Sequence, residues 1–415
     1  MKRSLDMILK DFHVGRGAII LALGLCIVFV HYSVRYSYGI LLPEMLISFN
    51  ISKLEAGVIY TSYFIGYTLF SFILGASIDK FDTRKVVSIF LLILGLGVLF
   101  MSLSNGLIEA AFSFFLAGVG CAACWVPIVL IVQRWFKRRA LSVAVIDIGA
   151  SLGFALSGVI MPVLVKMRDW RLGWQVFSFA SFLLSPLAWL LLRSYPEDTA
   201  QRGKRSDEKF FKHLIKIVRD FRLWMLSISY MFVGFYVMIP FTFLTTYAYQ
   251  EILLPYNIAA ALVSMIAIGA IPGKLVLASF SERAGRFKVI ILSGTISIIG
   301  MSGMILASNF PSLELTSIIL STVIYGVGYG SVWPLYMAYA SDIFSVENAG
   351  VVLGLLTVFL GIGCMSSPPV AGWMADLTET FKTSFLMAVA ASLLSILFLL
   401  PTKREISLKS RSQKV

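Results

Sequence analysis

Long apolar runs limit the fold of this chain more than any other feature. Twelve segments of about 20 residues carry few charged side chains, and a helix of that length crosses the hydrocarbon core of a bilayer. The chain is 58% hydrophobic and only 14% charged, whereas soluble proteins are roughly half apolar and a quarter charged. The sequence therefore predicts an all-α membrane protein. Its twelve predicted transmembrane helices are 18–42, 55–78, 86–104, 109–133, 141–165, 174–193, 223–248, 257–280, 288–308, 313–340, 350–373 and 383–401.

A short charged segment occurs twice, each time between two apolar runs. The first copy, Gly75–Lys85, reads Gly-Ala-Ser-Ile-Asp-Lys-Phe-Asp-Thr-Arg-Lys. The second copy, Ala278–Lys288, reads Ala-Ser-Phe-Ser-Glu-Arg-Ala-Gly-Arg-Phe-Lys. A charged loop repeated half a chain later indicates two homologous membrane halves. The matched charges are Asp79 with Glu282 and Arg84 with Arg286.

A second pattern supports the repeat. Gly118–Gly120 (Gly-Val-Gly) precedes Trp125 by the same spacing with which Gly326–Gly328 (Gly-Val-Gly) precedes Trp333. These matches lie 208 residues apart, and Phe29-Val30 in span 1 matches Phe232-Val233 in span 7 at the 203 residues that separate Asp79 from Glu282. Span 4 therefore corresponds to span 10, and span 1 to span 7.

The two charged loops resemble the cytoplasmic signature of the major facilitator superfamily. Arg134-Trp135-Phe136 followed by Arg138-Arg139, and Tyr36–Gly39 before Pro43, are similar to its oxalate/formate antiporter and monocarboxylate-transporter-like branch. One departure is Asp82, which stands where the first signature usually has glycine. The resemblance implies two pseudo-symmetric six-helix bundles around a central cavity, working by alternating access. The expected bundles are 1–193 and 223–401.

Basic residues predict the orientation. With the N-terminus inside, 28 of the 35 Lys and Arg residues fall in cytoplasmic segments, so the net charge of +13 follows from the positive-inside rule and does not require nucleic acid as a partner. We expect both termini on the cytoplasmic side of the cell membrane. Residues 194–222 form a linker with an amphipathic helix at the membrane surface, and 402–415 a basic cytoplasmic tail. The superfamily's usual form predicts a monomer.

Ionisable residues inside a span are candidates for function because each costs at least about 2.5–3.5 kcal/mol at the bilayer centre. Arg35 lies about 27 Å along span 1 at 1.5 Å per residue, beyond the midplane, and shares a face with His31 and Tyr38. The resemblance makes span 1 a cavity-lining helix, where a guanidinium can bind a carboxylate through two hydrogen bonds. The alternative is a structural ion pair or an arginine that extends to the outer surface. His31 either takes part in binding and proton transfer or is hydrogen-bonded within the bundle.

Asp147 in span 5 and Lys274 in span 8 both lie roughly 10–12 Å in from the predicted cytoplasmic end of their helices. Two interpretations remain open for Lys274: a gating salt bridge with Asp147, or direct binding of the substrate anion. The loop residues Asp79, Arg84, Glu282 and Arg286 are predicted to act in gating. For Asp79 the resemblance implies a latch on the amino end of span 11, near Ala349–Val351.

Aromatic side chains are the remaining candidates for the site. The resemblance makes spans 4 and 10 cavity-lining, so that Trp125 and Trp333 either form walls of the site or pack between helices. We add Tyr236 and Tyr329 to the predicted substrate-binding set.

These features favour a secondary transporter of a small organic anion, a mono- or dicarboxylate, driven by proton coupling or exchange. The alternatives are an exporter of cationic or hydrophobic compounds and a non-transporting membrane sensor. We expect no enzyme activity and no cofactor or metal, because the sequence has no recognisable nucleophile–base pair, nucleotide-binding loop or metal-ligand cluster.

Overall fold

The computed structural model describes residues 16–77, 81–136, 139–193, 219–309, 312–344 and 349–412, and all regular structure in these ranges is helical. The helices are α1 (Arg16–Phe49), α2 (Lys53–Ser77), α3 (Thr83–Leu103), α4 (Leu107–Cys121), α5 (Val126–Trp135), α6 (Arg139–Met167), α7 (Trp170–Leu191), α8 (Phe221–Gln250), α9 (Tyr256–Pro272), α10 (Ala278–Ala284), α11 (Arg286–Ala307), α12 (Glu314–Ile343), α13 (Ala349–Thr378) and α14 (Lys382–Ser412). A π-helical turn, Gly273–Leu277, joins α9 to α10.

These helices provide twelve segments that are long and apolar enough to cross a membrane, as the sequence predicts. Two of the spans are not regular α-helices. Span 4 consists of α4 and α5, separated by the irregular segment 122–125, where the sequence predicts one continuous helix. Span 8 consists of α9, the π turn and α10.

Three predicted features lie wholly or partly outside the described residues. Asp79 is one of them, and the amphipathic part of the 194–222 linker is another. The third is the predicted tail 402–415, of which residues 402–412 continue the backbone of α14.

The described helices belong to two compact units. Unit 1 comprises Met1–Asn50 and Ser62–Arg202, and unit 2 comprises Ile51–Thr61 and Gly203–Val415. The first residues of α2 therefore belong to unit 2 and the remaining ones to unit 1.

Several helix pairs in each unit cross with their backbones in contact, and one pair from each unit illustrates this. In unit 1, α1 packs on α6, and a Cβ added to Gly149 would lie 2.5 Å from the carbonyl oxygen of Leu25. In unit 2, α8 packs on α13, and a Cβ added to Gly363 would lie 1.9 Å from the carbonyl oxygen of Met231. Small residues allow this approach, which is a main source of attraction between helices in lipid. The pairs correspond to spans 1 and 5 and spans 7 and 11, as expected from the repeat.

The α8–α13 contact predicts a large difference between two glycines of the same helix. Gly363→Ala should lower the unfolding temperature by several degrees, because the methyl group has no room and overpacking costs about 1–3 kcal/mol. Gly354→Ala is the matched control, since a Cβ there meets nothing within 4 Å, and alanine is the better helix former. Thermal unfolding of both purified variants checks this expectation. Equal unfolding temperatures would contradict the close crossing.

Candidate functional site

Arg35 lies in the interior of unit 1, with only 8% of its surface exposed. Its guanidinium carbon is 4.7 Å from the ring centre of Phe64, 5.5 Å from that of Tyr36 and 6.0 Å from that of Tyr67. Phe64 and Tyr67 come from α2, and Tyr36 from α1 itself. Aromatic faces attract a cation without neutralising its charge, and they exclude water around it. Arg35 therefore keeps a positive charge in an aromatic pocket at membrane depth.

His31 lies one helical turn before Arg35 and is fully buried. Its ring centre is 4.6 Å from that of Tyr32 and 5.7 Å from that of Tyr67, on which it stacks. Neither ring nitrogen has a hydrogen-bond partner among the described residues. Buried polar atoms in native proteins almost always have a partner, and leaving one without costs about 1–3 kcal/mol. The unsatisfied imidazole is thus a candidate for binding a solute.

The break in span 4 lies beside these rings. Ala122 and Ala123 are buried, and Tyr67 packs against them. Trp125 is half-buried, with its ring centre 6.1 Å from that of Tyr32. Non-helical backbone at membrane depth occurs where it is buried in protein or lines a cavity. We use the name Arg35 cluster for His31, Tyr32, Arg35, Phe64, Tyr67 and Trp125.

The structure places the other predicted aromatics elsewhere. Tyr38 is fully buried and stacks on Phe114 of α4 at 5.0 Å, within the packed interior of unit 1. Unit 2 has its own aromatic group along α8 and α12, in which Trp333 lies 5.9 Å from Tyr230 and 6.4 Å from Tyr329. Tyr236 is buried on α8. A role of these residues in substrate binding stays a prediction.

Asp147 and Lys274 are both half-buried, in unit 1 and unit 2 respectively. Lys274 belongs to the π turn Gly273–Leu277. Such wide turns inside α-helices are rare and occur frequently at functional sites. The predicted pairing of Lys274 with Asp147 remains a prediction.

The two charged loops form different local structures. In the first, Asp82 is the N-cap of α3: its carboxylate accepts a hydrogen bond from the backbone N–H of Arg84, and it pairs with the Arg84 guanidinium at 3.1 Å. In the second, Gly285 has a φ of +91°, a conformation that glycine adopts without strain. Asp82 thus caps α3 with its side chain at the position where the second copy has Gly285.

Arg286 at the start of α11 forms an ion pair with Asp342 of α12 and donates to the carbonyl oxygen of Ala338 at 2.8 Å. It therefore joins two helices of unit 2. Glu282, its predicted gating neighbour, is exposed.

Sequence reasoning missed Phe64, Tyr67 and Asp342. A signal for the first two exists, because Tyr60, Tyr63, Phe64 and Tyr67 form an aromatic stripe at helical spacing in span 2. No comparable local signal identifies Asp342, whose partner lies 56 residues away.

Comparison with known proteins agrees with this architecture. The family model described as Major Facilitator Superfamily matches residues 24–313 and 249–415. The chain therefore belongs to the major facilitator superfamily, a family of membrane transporters.

Relatives with different transport functions match most of the chain. A hexuronate transporter of Bacillus subtilis is 24% identical and covers 90% of this chain and 92% of its own. Human monocarboxylate transporter 11 is 22% identical, with 90% and 80% covered. An agnestins efflux protein of Paecilomyces divaricatus is 24% identical, with 86% and 80% covered. These relatives are consistent with the monocarboxylate-transporter-like branch.

Solved structures show the same fold. A bacterial homologue of the human lysosomal transporter Spinster, described as inward-facing and unoccupied, matches with a TM-score of 0.80 at 16% identity. The match covers 94% of this chain and 98% of that one.

Substitution of His31 should change the stability of the protein differently from substitution of Ser33, a neighbour on the same helix whose side chain is hydrogen-bonded. His31→Leu should leave the unfolding temperature of the ligand-free protein unchanged or raise it, because it removes buried polar atoms that have no partner. Ser33→Ala on the same helix is the control and should lower it, since Ser33 donates to the carbonyl oxygen of Gly153 at 3.2 Å. Thermal unfolding measures both. A larger loss for His31→Leu than for Ser33→Ala would show that the imidazole has a structural role.

Proposed function

We propose that this protein is a secondary active transporter that moves a small organic anion, a mono- or dicarboxylate, across the cell membrane by alternating access. The observation that carries the proposal is the Arg35 cluster. The guanidinium of arginine carries parallel N–H groups in the geometry that a carboxylate accepts, and in this cluster it is buried among aromatic rings.

Burial strengthens the attraction between this cation and an anion. In a water-poor interior the Coulomb energy of a pair is several times that in bulk water. His31, one turn away, offers one donor and one acceptor nitrogen in its neutral form, so that it can bind a second polar group of the same solute. The aromatic rings provide contact for the apolar part of the solute.

The functions of two relatives support an anion as the substrate. Hexuronates and monocarboxylates both carry a carboxylate group, and transporters of each match about nine tenths of this chain. We propose either proton coupling or exchange as the driving reaction. We also propose that the protein functions as a monomer.

We propose further that both termini face the cytoplasm. The support is the distribution of Lys and Arg, 28 of which fall in segments on that side. Asp79, Arg84, Glu282 and Arg286 then all lie at the cytoplasmic ends of their spans, where we assign them to gating.

An exporter of hydrophobic compounds is the second candidate. The agnestins efflux protein supports it, as do the many aromatic rings around Arg35. The two candidates differ in what the site must bind, because an exporter of neutral compounds does not need the positive charge.

Substitution of Arg35 separates the two candidates. In a panel of carboxylates that includes lactate, succinate, benzoate and a hexuronate, at least one should raise the unfolding temperature of the parent protein and enter proteoliposomes that contain it. Arg35→Ala should abolish both effects. Arg35→Lys should weaken binding by about 10- to 100-fold, since hydrogen bonds to a charged group contribute about 1.5–3 kcal/mol.

Arg171→Lys is the matched control, because Arg171 also lies on an aromatic ring, at 4.5 Å from the ring centre of Trp170, but at the start of α7. It should bind and transport the carboxylate as the parent does. If no carboxylate has an effect and neutral apolar compounds stabilise the parent and Arg35→Ala equally, the exporter is the correct function.

The role of Lys274 has its own test. If Asp147 and Lys274 form a gating pair, each single reversal (Asp147→Lys or Lys274→Asp) should abolish transport, and the double reversal should restore part of it. If Lys274 instead binds the substrate, the double reversal should transport no better than either single one. Initial uptake rates in proteoliposomes give the answer.

A further inference from the structure

Two basic side chains of unit 1 lie near one tryptophan ring, at the membrane end where α3 begins and α7 ends. The guanidinium carbon of Arg84 is 5.8 Å from the ring centre of Trp189, and the ammonium nitrogen of Lys85 is 5.9 Å from it. Arg84 and Lys85 belong to the first turn of α3, and Trp189 belongs to the last turn of α7. The face of an indole ring attracts cations at such distances. Trp189 therefore brings two positive charges to the same place.

The packing of α3 against α7 fixes this arrangement. The buried hydroxyl of Ser185 on α7 donates to the carbonyl oxygen of Ser88 on α3 at 2.8 Å. Trp189 lies one helical turn after Ser185, and Arg84 lies one turn before Ser88, so that the indole and the guanidinium meet just beyond this hydrogen bond. The ring and the cations are thus held by helices and not by a loop.

The positive charge at this end is only partly compensated. Asp82 caps α3 and pairs with Nη2 of Arg84 at 3.1 Å. Lys85 is exposed and forms no ion pair with a described residue. Arg193, which follows α7, is exposed as well and adds a third cation at the same end. The described side chains therefore carry a net positive charge here, which attracts an anion.

The side chains next to the two cations are apolar and exposed. Ile89, one turn after Lys85, is 50% exposed, Trp189 is 43% exposed and Leu190 is 66% exposed. On a membrane-spanning helix such apolar side chains contact the acyl chains of lipids, and tryptophan is enriched at the level of the headgroups. A ligand that binds here therefore meets positive charge and hydrocarbon surface together.

We propose that Arg84, Lys85 and Trp189 form a binding site for an anionic phospholipid. The phosphate group lies against the two cations beside the indole ring, and the acyl chains pack on Ile89 and Leu190. Basic clusters at the ends of transmembrane helices attract anionic lipid headgroups. A soluble anion gains only the charge interaction, and phosphatidylcholine brings a positive charge of its own to the site. The inference holds for any transported solute and for either orientation of the chain.

Lipid-dependent thermal unfolding of the full-length protein in a neutral detergent tests the site. Phosphatidylglycerol should stabilise the parent protein at a lower concentration than phosphatidylcholine with the same acyl chains. Lys85→Ala should raise the phosphatidylglycerol concentration needed for half of this stabilisation by about fivefold, the factor that one basic residue near a membrane surface contributes. Trp189→Leu should raise it by about two- to fivefold, because the aromatic face is lost while an apolar side chain remains.

Lys288→Ala is the matched control. Lys288 has the position in the second charged segment that Lys85 has in the first, and it is also exposed. Its ammonium group lies over no aromatic ring of the described residues. This variant should respond to phosphatidylglycerol as the parent does. Each variant is compared with its own lipid-free unfolding temperature, and Lys85→Ala carries the test alone if Trp189→Leu does not fold.

Three outcomes would overturn the proposal. The first is a Lys85→Ala protein that responds to phosphatidylglycerol as the parent does. The second is an equal loss in Lys85→Ala and Lys288→Ala, which would mean that only the overall charge matters. The third is equal stabilisation by glycerol phosphate, the soluble headgroup, which would indicate a site for free anions. No arm of the experiment involves Arg35 or a carboxylate, so the lipid site can fail while the proposed function stands.

Discussion

Every backbone N–H and C=O group within a membrane needs a partner inside the protein, and this requirement explains most of the structure. It accounts for twelve helical spans and for carboxylate caps at the helix starts, including Asp82 for α3 and Asp376 for α2. Two spans depart from regular α-helix. The break at 122–125 lies next to the Arg35 cluster. The π turn at Gly273–Leu277 contains Lys274. Within the described residues, both interruptions of the spans therefore lie beside side chains that we propose to be functional.

Buried charged and polar side chains also need partners inside the protein. Arg35 is stabilised in part by aromatic faces, which attract a cation. His31 keeps two buried nitrogens without a partner among the described residues, a local loss of stability of the kind that proteins retain at functional sites. Phe64 and Tyr67 connect this cluster to α2.

Much of this could be predicted from the sequence, because the signals are local. Hydropathy identified the twelve spans, the repeated loops identified the two halves, and a charge inside an apolar run identified Arg35. Phe64 and Tyr67 were missed because an aromatic ring that faces lipid and one that holds a cation look alike in a membrane sequence. The interruption of span 4 was missed because apolar content is the same in a helix and in a buried break. Asp376 was missed because a cap depends on a neighbour distant in the chain.

The glycine crossings described for the two units have a mechanical consequence. At Gly149 on α6 and Gly363 on α13 the backbones of the paired helices touch, so that sliding one helix past the other would bring a side chain into a space that admits no Cβ. Each of these helix pairs should then move as one rigid body. Bending during a transport cycle is left to the irregular joints, at residues 122–125 in one half and at Gly273–Leu277 in the other, where the hydrogen-bond ladder is already interrupted.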